Sequence, residues 1–347
     1  MPYGTVNADI IQSSVSGVSL GAGNSSIMKN RLINSAMVID QRNAGASATP
    51  TAIASSVYTL DRWAAFISAA SKFSVQQNAG SVTPPAGFVN YLGVTSLAAT
   101  SVASTDFYFL KQAIEGYNIA DLGWGTANAK TVTLSFQVRS SLTGTFGGAI
   151  RNSANDYSYP FSYSIPVANT WTSISITIAG PTSGTWLTTN GQGLEVDFSL
   201  GIGATYSGTA GSWVAANCAS ATGATSVVGT NGATFYITGV QLEVGSSATG
   251  FEYRQYGQEL ALCQRYYFLA GGSIRLYTDT TGAYCSTVPP VTPRATPTMT
   301  LPVAGTGAGI LVVGANGTNG IYTLIKTGSG TAFANIDSYT MAGSAEL

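Results

Sequence analysis

Short segments in which apolar and polar residues alternate run through most of the chain. In the clearest, 131–140, apolar residues alternate with Thr, Ser, Gln and Arg, and the same period recurs at 171–179 and 194–200. Because successive side chains of a strand point to opposite faces of a sheet, this period predicts strands. Turn-forming residues separate the segments, and helical periodicity is nearly absent. We therefore predict about eight to ten strands before residue 250, arranged as an all-β, antiparallel jelly-roll β-sandwich.

The segment 231–268 predicts how the sandwich ends. Asn231-Gly232 favours a turn, and the apolar row of the next strand changes parity at Gly239, which predicts a β-bulge. Gln241 and Glu243 are then expected to point to solvent. After a spacer of small residues, an i, i+3, i+7 spacing predicts one or two helical turns. The residues with this spacing are Leu260, Cys263 and Tyr267.

Three other segments carry structural expectations. Met37-Val38-Ile39 is a short apolar run and is expected to form the first strand of the sandwich. Trp63 lies in a strand pattern, where an indole is more often a core residue than a sugar-binding platform. The segment 106–114 has aromatic residues on both faces, which indicates that one face meets the core and the other a neighbour.

The chain divides into four parts by composition. The first 26 residues are small and polar and cannot bury a core, so they form either a flexible tail, the usual fate of such a terminus, or an arm that becomes ordered only against a partner chain. Beyond residue 268, short apolar segments separated by prolines and Asn-Gly pairs predict a second, smaller β domain. The expected parts are an N-terminal attachment arm (1–26), the sandwich (27–255), a short helical connector (256–268) and a C-terminal β domain (269–347).

Composition narrows the function classes. Charged residues make up 8% of the chain, against roughly a quarter in ordinary globular proteins. Such a surface is typical of proteins that bury much of themselves against copies or neighbours, while 45% hydrophobic content argues against disorder. The net charge is −1 and no Lys or Arg lies between Arg151 and Arg254, so we expect no nucleic-acid binding. No apolar run is long enough for a membrane helix, so we expect no membrane insertion.

The residues that most enzymes depend on are scarce. There is no His, which excludes Ser-His-Asp triads and the usual general base. The three cysteines are odd in number and widely spaced, so we expect buried thiols in a reducing cytosol rather than disulfides, and no metal site or cofactor. Glu195 and Asp197 lie at i, i+2 on one strand face. We expect two solvated charges there; a glycosidase pair and a calcium site are the alternatives. The chain is therefore expected not to be an enzyme.

Binding is the function that remains, and its candidate residues lie in loops. The loop 151–157 supplies donors, acceptors and an aromatic ring within seven residues, and two tryptophans lie in loops rich in Gly, Thr and Ser. Such groups suit a neutral glycan, since a ring can stack on a sugar while amides and carboxylates bind hydroxyls. Ordinary loop structure or subunit contact is the alternative at each position. The candidate residues are Arg151, Asn155, Asp156, Tyr157, Trp186 and Trp213.

The chain resembles a known class of proteins. The run G-V-Q-L-E-V-G, followed by F-E-Y-R and E-L-A-L-C-Q-R-Y-Y, is similar to the segment that ends the carbohydrate-binding-like jelly-roll sandwich of bacteriophage tail fibres and other virion appendages. Further similar motifs lie at 27–43, 58–63 and 151–156. The resemblance implies a structural protein of the virion, made in the host cytoplasm and attached to the particle through its N-terminus.

Three functions remain open at this point. The first is a homotrimeric phage fibre that contacts other virion proteins through its arm and a host-surface polysaccharide through its β-domains. The second is a head fibre or decoration protein that stabilises the capsid. The third is a polysaccharide depolymerase, which would require the carboxylates of Glu195 and Asp197 to act together.

Overall fold

The computed structural model describes most of the chain. The described residues are 28–278, 283–303, 306–308, 310–326 and 332–347. The expected N-terminal arm, 1–26, lies outside them.

Within the described residues, thirteen strands precede one α-helix, and two of these strands are only two residues long. Nine pairings, all antiparallel, join the other eleven into two sheets. The six-stranded sheet has the order β1-β2-β5-β10-β7-β8, and the five-stranded sheet has the order β3-β4-β13-β6-β9. The strands are β1 Val57–Leu60, β2 Trp63–Ile67, β3 Phe73–Gln77, β4 Leu92–Ser96, β5 Phe107–Glu115, β6 Val132–Ser140, β7 Gly144–Asn152, β8 Ser158–Ile165, β9 Thr172–Ile178, β10 Gln192–Ile202, β11 Ser207–Gly208, β12 Ser220–Ala221 and β13 Thr234–Val244.

The two sheets pack face to face over one apolar core. Phe198 of β10 lies 5.1 Å from Phe136 of β6, measured between ring centroids, so aromatic rings from both sheets meet at the centre. Trp63 is fully buried beside Phe198, which confirms its assignment to the core. The all-β class, with an antiparallel sandwich and a smaller C-terminal β unit, is confirmed.

The bulge at Gly239 is present. The pairing of β13 with β6 shifts register between Thr238 and Gln241, and Gly239 has a φ of +61°. The expectation that Gln241 and Glu243 face solvent was wrong, since both are buried. The chain folds back over this face after β13: Glu243 accepts hydrogen bonds from Gln241 and Thr249.

Residues 37–39 do not form a strand, contrary to the sequence prediction. Met37 has a φ of +59°, outside the range of regular strand geometry, although its side chain is buried in the core. The buried side chain of Asn34 holds this segment instead. Its Nδ2 donates to the carbonyls of Ile39 and Asp61, and its Oδ1 accepts from the backbone N–H of Ile39.

Strands β7 and β8 were not anticipated. Three glycines in β7 and Pro160 in β8 weaken the strand signal, since glycine and proline are rare within strands. The glycines have a structural role: a Cβ at Gly147 would collide with Ser220 of the loop that crosses the sheet there.

Helix α1 spans Tyr256–Gln264, inside the expected connector. Its Cys263 is fully buried, but Tyr266 rather than Tyr267 turns inward, because the helix ends before either residue and a strand begins at Tyr267. Two small sheets follow, with the orders β14-β20-β16 (plus β17 on β20) and β15-β19-β18. Their strands are β14 Tyr267–Thr278, β15 Ala283–Thr287, β16 Thr298–Val303, β17 Thr306–Ala308, β18 Ile310–Asn316, β19 Gly320–Lys326 and β20 Ala332–Ser344.

The C-terminal residues are tied to the sandwich by charged groups. Glu346 forms ion pairs with Arg42 and Arg62, and Arg62 is almost completely buried. The guanidinium of Arg62 also lies 3.6 Å from the ring centroid of Tyr266.

Two further features concern the described residues alone. Cys218 and Cys263 are buried free thiols; the side chain of Cys285 lies outside the described part. No helix in that part has the length and hydrophobicity that crossing a membrane requires.

Candidate functional site

The outer face of the six-stranded sheet carries a cluster of charged residues. The core side of β10 is apolar, so Glu195 and Asp197 share the opposite, outer face, as their spacing predicted. In the register of the sheet, Arg151 of β7 lies directly opposite Glu195, and Lys111 of β5 lies directly opposite Asp197. The expectation that the two carboxylates are solvated was wrong, because both are at most 1% exposed.

Arg151 is the centre of this cluster. Its Nε donates to Asp197 Oδ2 at 2.6 Å, and its Nη2 lies 2.5 Å from Glu195 Oε1. Nη1 donates to Oδ1 of Asn217 at 2.8 Å. Lys111 donates to the other oxygen of Glu195 at 2.9 Å. Two cations and two carboxylates therefore balance one another in a buried layer, which is how proteins accommodate charges away from water.

The two carboxyl groups differ in their affinity for protons. Burial is the strongest influence on the pKa of Glu195 and raises it, but Arg151 and Lys111 together outweigh burial, so this pKa lies below its usual value. Burial also raises the pKa of Asp197, and there the attraction of Arg151 does not compensate, partly because Glu195 is close. Glu195 is consequently the group that stays ionised.

Aromatic rings border the charged cluster. Phe66 of β2 and Phe107 of β5 are half-buried and stack with centroids 5.3 Å apart. Tyr206 meets Phe107 edge to face at 5.7 Å. The ammonium group of Lys111 lies 4.9 Å from the centroid of Phe66, and the guanidinium of Arg151 lies 5.1 Å from that of Phe109. Apolar ring surface and fixed polar groups thus adjoin one another.

Together these residues line an open cleft of about 310 Å³. The charged cluster and Phe109 form its floor, while the loop between β10 and β13 contributes Tyr206 and Asn217 to one wall. Asn155, whose φ is +55°, also lines the cleft. Within the described part of the chain, the enclosed Oδ1 of Asn155 has no hydrogen-bond partner. The polar group that the wall presents to a ligand is the exposed side chain of Asn217, next to the ring faces.

The structure separates the predicted binding residues into two groups. Arg151 and Asn155 line the cleft, whereas Asp156 is exposed and accepts a hydrogen bond from Asn152. The aromatic candidates lie in a second cluster, in which Tyr157 stacks on Trp213 with centroids 5.8 Å apart.

Trp186 is buried in this second cluster. Its ring meets Trp124 edge to face at 4.8 Å and Trp213 at 5.3 Å, and its Nε1 donates to the carbonyl of Ser183. The placement of Trp186 in an accessible loop was therefore wrong: Trp186 is part of the core, where a tryptophan normally finds a partner for its N–H.

Several cleft residues were not recognised from sequence. Phe66, Phe107, Phe109 and Lys111 come from two strands that only the sheet brings together. One signal was available, since 106–114 carries aromatic residues on both faces. Among the described residues, no three His, Cys, Asp or Glu side chains are grouped as metal ligands would be.

No protein-family model matches the chain, and neither does any curated protein. One similar solved structure is the enzymatically active domain of tailspike protein 4 from bacteriophage CBA120, at 13% identity and a TM-score of 0.32; the match covers 53% of this chain but only 20% of that one. A Bacteroides thetaiotaomicron protein named for sugar binding is similar at 14% identity and a TM-score of 0.37, over 62% of this chain and 100% of that one.

A third similar structure is a family 11 carbohydrate-binding module of Clostridium thermocellum, in complex with a β-1,3-1,4-mixed-linked tetrasaccharide. It is 11% identical with a TM-score of 0.29, and the match covers 60% of this chain and 100% of the module. Similarities this distant concern the sandwich fold and support no conclusion about ligand or assembly.

Proposed function

We propose that the chain is a virion appendage protein whose sandwich binds a glycan in the cleft on the six-stranded sheet. One observation carries the binding part: half-buried aromatic rings adjoin a floor of polar groups held in place by one another. A sugar ring has apolar faces and a rim of hydroxyls, so it needs both kinds of surface. The cleft volume of about 310 Å³ suits one or two sugar units.

The charges of the floor favour a neutral ligand. Arg151 and Lys111 are already paired with carboxylates, so an acidic sugar would compete with Glu195 for them. Hydroxyls can instead accept from the remaining N–H groups of Arg151 and Asn217, which are not engaged by the carboxylates. A neutral oligosaccharide is therefore the ligand class that this proposal names.

We propose binding without catalysis at this site. A glycosidase needs one carboxylic acid and one carboxylate free to reach opposite sides of a glycosidic bond. Both oxygens of Glu195 are held by cations, and Asp197 lies beneath Arg151 instead of lining the cleft.

The virion part of the proposal rests on the sequence resemblance. The segment 1–26 would attach the protein to other virion proteins, and the sandwich would assemble as a homotrimer. Several weak glycan sites on one particle would then act together, which raises the overall affinity for a host surface.

The cleft is tested with the purified chain and an array of neutral oligosaccharides, followed by calorimetric titration of those that bind. The Phe66→Ala variant removes the most accessible ring of the cleft and is expected to weaken binding about tenfold, which corresponds to about 1.4 kcal/mol. The matched control is Phe88→Ala. Phe88 is also half-buried but lies in a separate groove with Phe251 and Tyr253, so its loss is expected to leave glycan affinity unchanged.

Two results would count against the proposal. If no neutral oligosaccharide binds, or if both variants lose affinity equally, the cleft is not the glycan site. Release of new reducing ends from a bound polysaccharide would contradict the absence of catalysis. Labelling of the chain on intact particles tests the virion part separately.

A further inference from the structure

Each sheet of the sandwich has two edge strands whose outward backbone groups require a partner. The edges are β1 and β8 in one sheet and β3 and β9 in the other. An uncovered edge can pair with a strand of another chain, and proteins normally cover or interrupt it.

Two of these edges are blocked, and a third is covered along its first half. The outward side of β1 is only four residues long, and its Thr59 carbonyl is bonded by the side chain of Asn43. Strand β3 is covered by Ala48, which exchanges both backbone hydrogen bonds with Val75. Strand β8 contains Pro160, whose carbonyl accepts from Gly211, and a bridge to Val214 closes its beginning.

Strand β9 differs from the other three edges. Its seven residues, T-S-I-S-I-T-I, contain no charge, Pro, Gly or bulge. Apart from the ladder to β6, no backbone hydrogen bond among the described residues reaches this strand. The indole of Trp213 bonds the carbonyl of Ala179, one residue beyond its end, and so leaves all seven residues open.

We propose that β9 is a contact between two copies of this chain, which pair their β9 strands antiparallel about a two-fold axis at Ser175. The five central residues of the strand, 173–177, are self-complementary in this register. Ile174 lies opposite Ile176 of the second copy, and Ser173 lies opposite Thr177. Apolar side chains thus meet apolar ones on the inner face, and hydroxyls meet hydroxyls on the outer face, both of which are favourable cross-strand pairs.

The partial exposure of two inward-facing isoleucines indicates that another strand can pack beside β9. Ile174 and Ile176 point toward the core yet remain half-exposed, whereas Ile178 at the end of the strand is fully buried. A second β9 would cover both isoleucines and join the two five-stranded sheets into one. Because the strand carries no charge, two copies do not repel each other there.

The contact is small, so we expect a reversible dimer rather than a permanent one. It is independent of the glycan cleft, which lies on the other sheet. It is also compatible with a three-fold assembly through other surfaces, since a two-fold and a three-fold contact can coexist in one particle.

The test is sedimentation equilibrium of the full chain from micromolar to hundreds of micromolar concentration. The apparent molecular mass of the wild type is expected to rise with concentration toward twice its value at the lowest concentration. Ser175→Lys places two ammonium groups opposite each other on the two-fold axis, and Ser175→Glu places two carboxylates there; each variant alone is expected to lose the doubling. A mixture of the two is expected to restore it, because the opposite charges then face each other.

The matched control is Ser164→Lys, which makes the same change at an exposed serine of β8, an edge strand of the other sheet. It is expected to associate like the wild type. Doubling that survives Ser175→Lys, or a wild type that never doubles, would overturn the inference. If the mixture associates again, the single variants are folded, because misfolded chains could not pair. Glycan binding by the monomeric variants is measured as well, so that failure of this proposal can be told apart from failure of the glycan proposal.

Discussion

Arg151 is expected to contribute more to stability than any surface charge, since it neutralises two buried carboxylates. The Arg151→Met variant keeps an unbranched apolar chain of similar length but removes the hydrogen bonds to Asp197 and Asn217 and the ion pair with Glu195. Breaking a buried ion pair from one side costs about 3–5 kcal/mol, because the remaining charge has neither water nor a partner. For a domain of this size, such a loss lowers the Tm by roughly 6–20 °C.

The stability that Arg151→Met loses should depend on pH in a defined direction. Burial already raises the pKa of Asp197, and without the attraction of Arg151 this pKa rises further; the pKa of Glu195 also rises, because only Lys111 of the two cations remains to lower it. A raised carboxyl pKa means that the folded state binds more protons, so stability falls as the pH rises. The deficit of Arg151→Met relative to the wild type is therefore expected to be largest near pH 8 and smaller near pH 5.

The assay is urea unfolding followed by circular dichroism at several pH values. Adding Asp197→Asn to Arg151→Met is expected to recover most of the loss, since Glu195 keeps Lys111 as its partner and no other buried carboxylate of the cluster remains without one. Arg139→Met is the control: Arg139 is half-buried, donates to the carbonyl of Asn169 and lies over the ring of Tyr236, but no carboxylate of the described residues pairs with it, so we expect it to cost less than about 1 kcal/mol. A similar cost for both arginine variants, or a deficit that does not change with pH, would refute the assignment of a buried charge cluster.

Two further predictions concern the framework of the sandwich. Gly239→Ala is expected to cost about 1–3 kcal/mol more of unfolding free energy than Gly232→Ala. Both glycines have positive φ, but only at Gly239 would a Cβ collide with another side chain, that of Phe88. Equal losses in chemical unfolding would contradict the close approach of Phe88 to Gly239. Burial raises the pKa of Asp61 to about 6, so its contribution to the unfolding free energy falls as the pH rises from about 4 to 6. Asp61→Asn should remove that slope, and an unchanged pH profile would show that Asp61 titrates normally.

Much of the fold could be predicted because it depends on local patterns. Period-two alternation identified β6, β9 and β10, and the parity change identified the bulge at Gly239. Strands β7 and β8 were missed, because their glycines and proline interrupt the alternation of apolar and polar side chains. The structure tolerates Gly147 in β7 because another segment packs directly on the sheet there, and Pro160 in β8 because β8 is an edge strand.

The candidate site was predictable only in part. The loop 151–157 was identified because it concentrates polar groups, and Arg151 and Asn155 do line the cleft. Phe66 and Lys111 were not identified, since their partners come from strands distant in sequence. Trp186 was misplaced for the opposite reason: a tryptophan among small residues appears exposed until Trp124 and Trp213 are packed around it.

The amino-acid sequence by itself determined the class of the fold, since side-chain alternation is a property of the chain alone. It also determined the scarcity of catalytic groups, since the chain has no histidine. Whether a polar residue on an outer strand face meets water was decided only by tertiary structure. Glu195, Asp197 and Glu243 follow the same alternation as solvated residues, yet all three are buried. Lys111 and Arg151 of the neighbouring strands supply the partners of Glu195 and Asp197, and the segment that folds back after β13 supplies Thr249 to Glu243. Burial depends on which segments pack over a strand, and the alternation of residues within that strand does not show which segments those are.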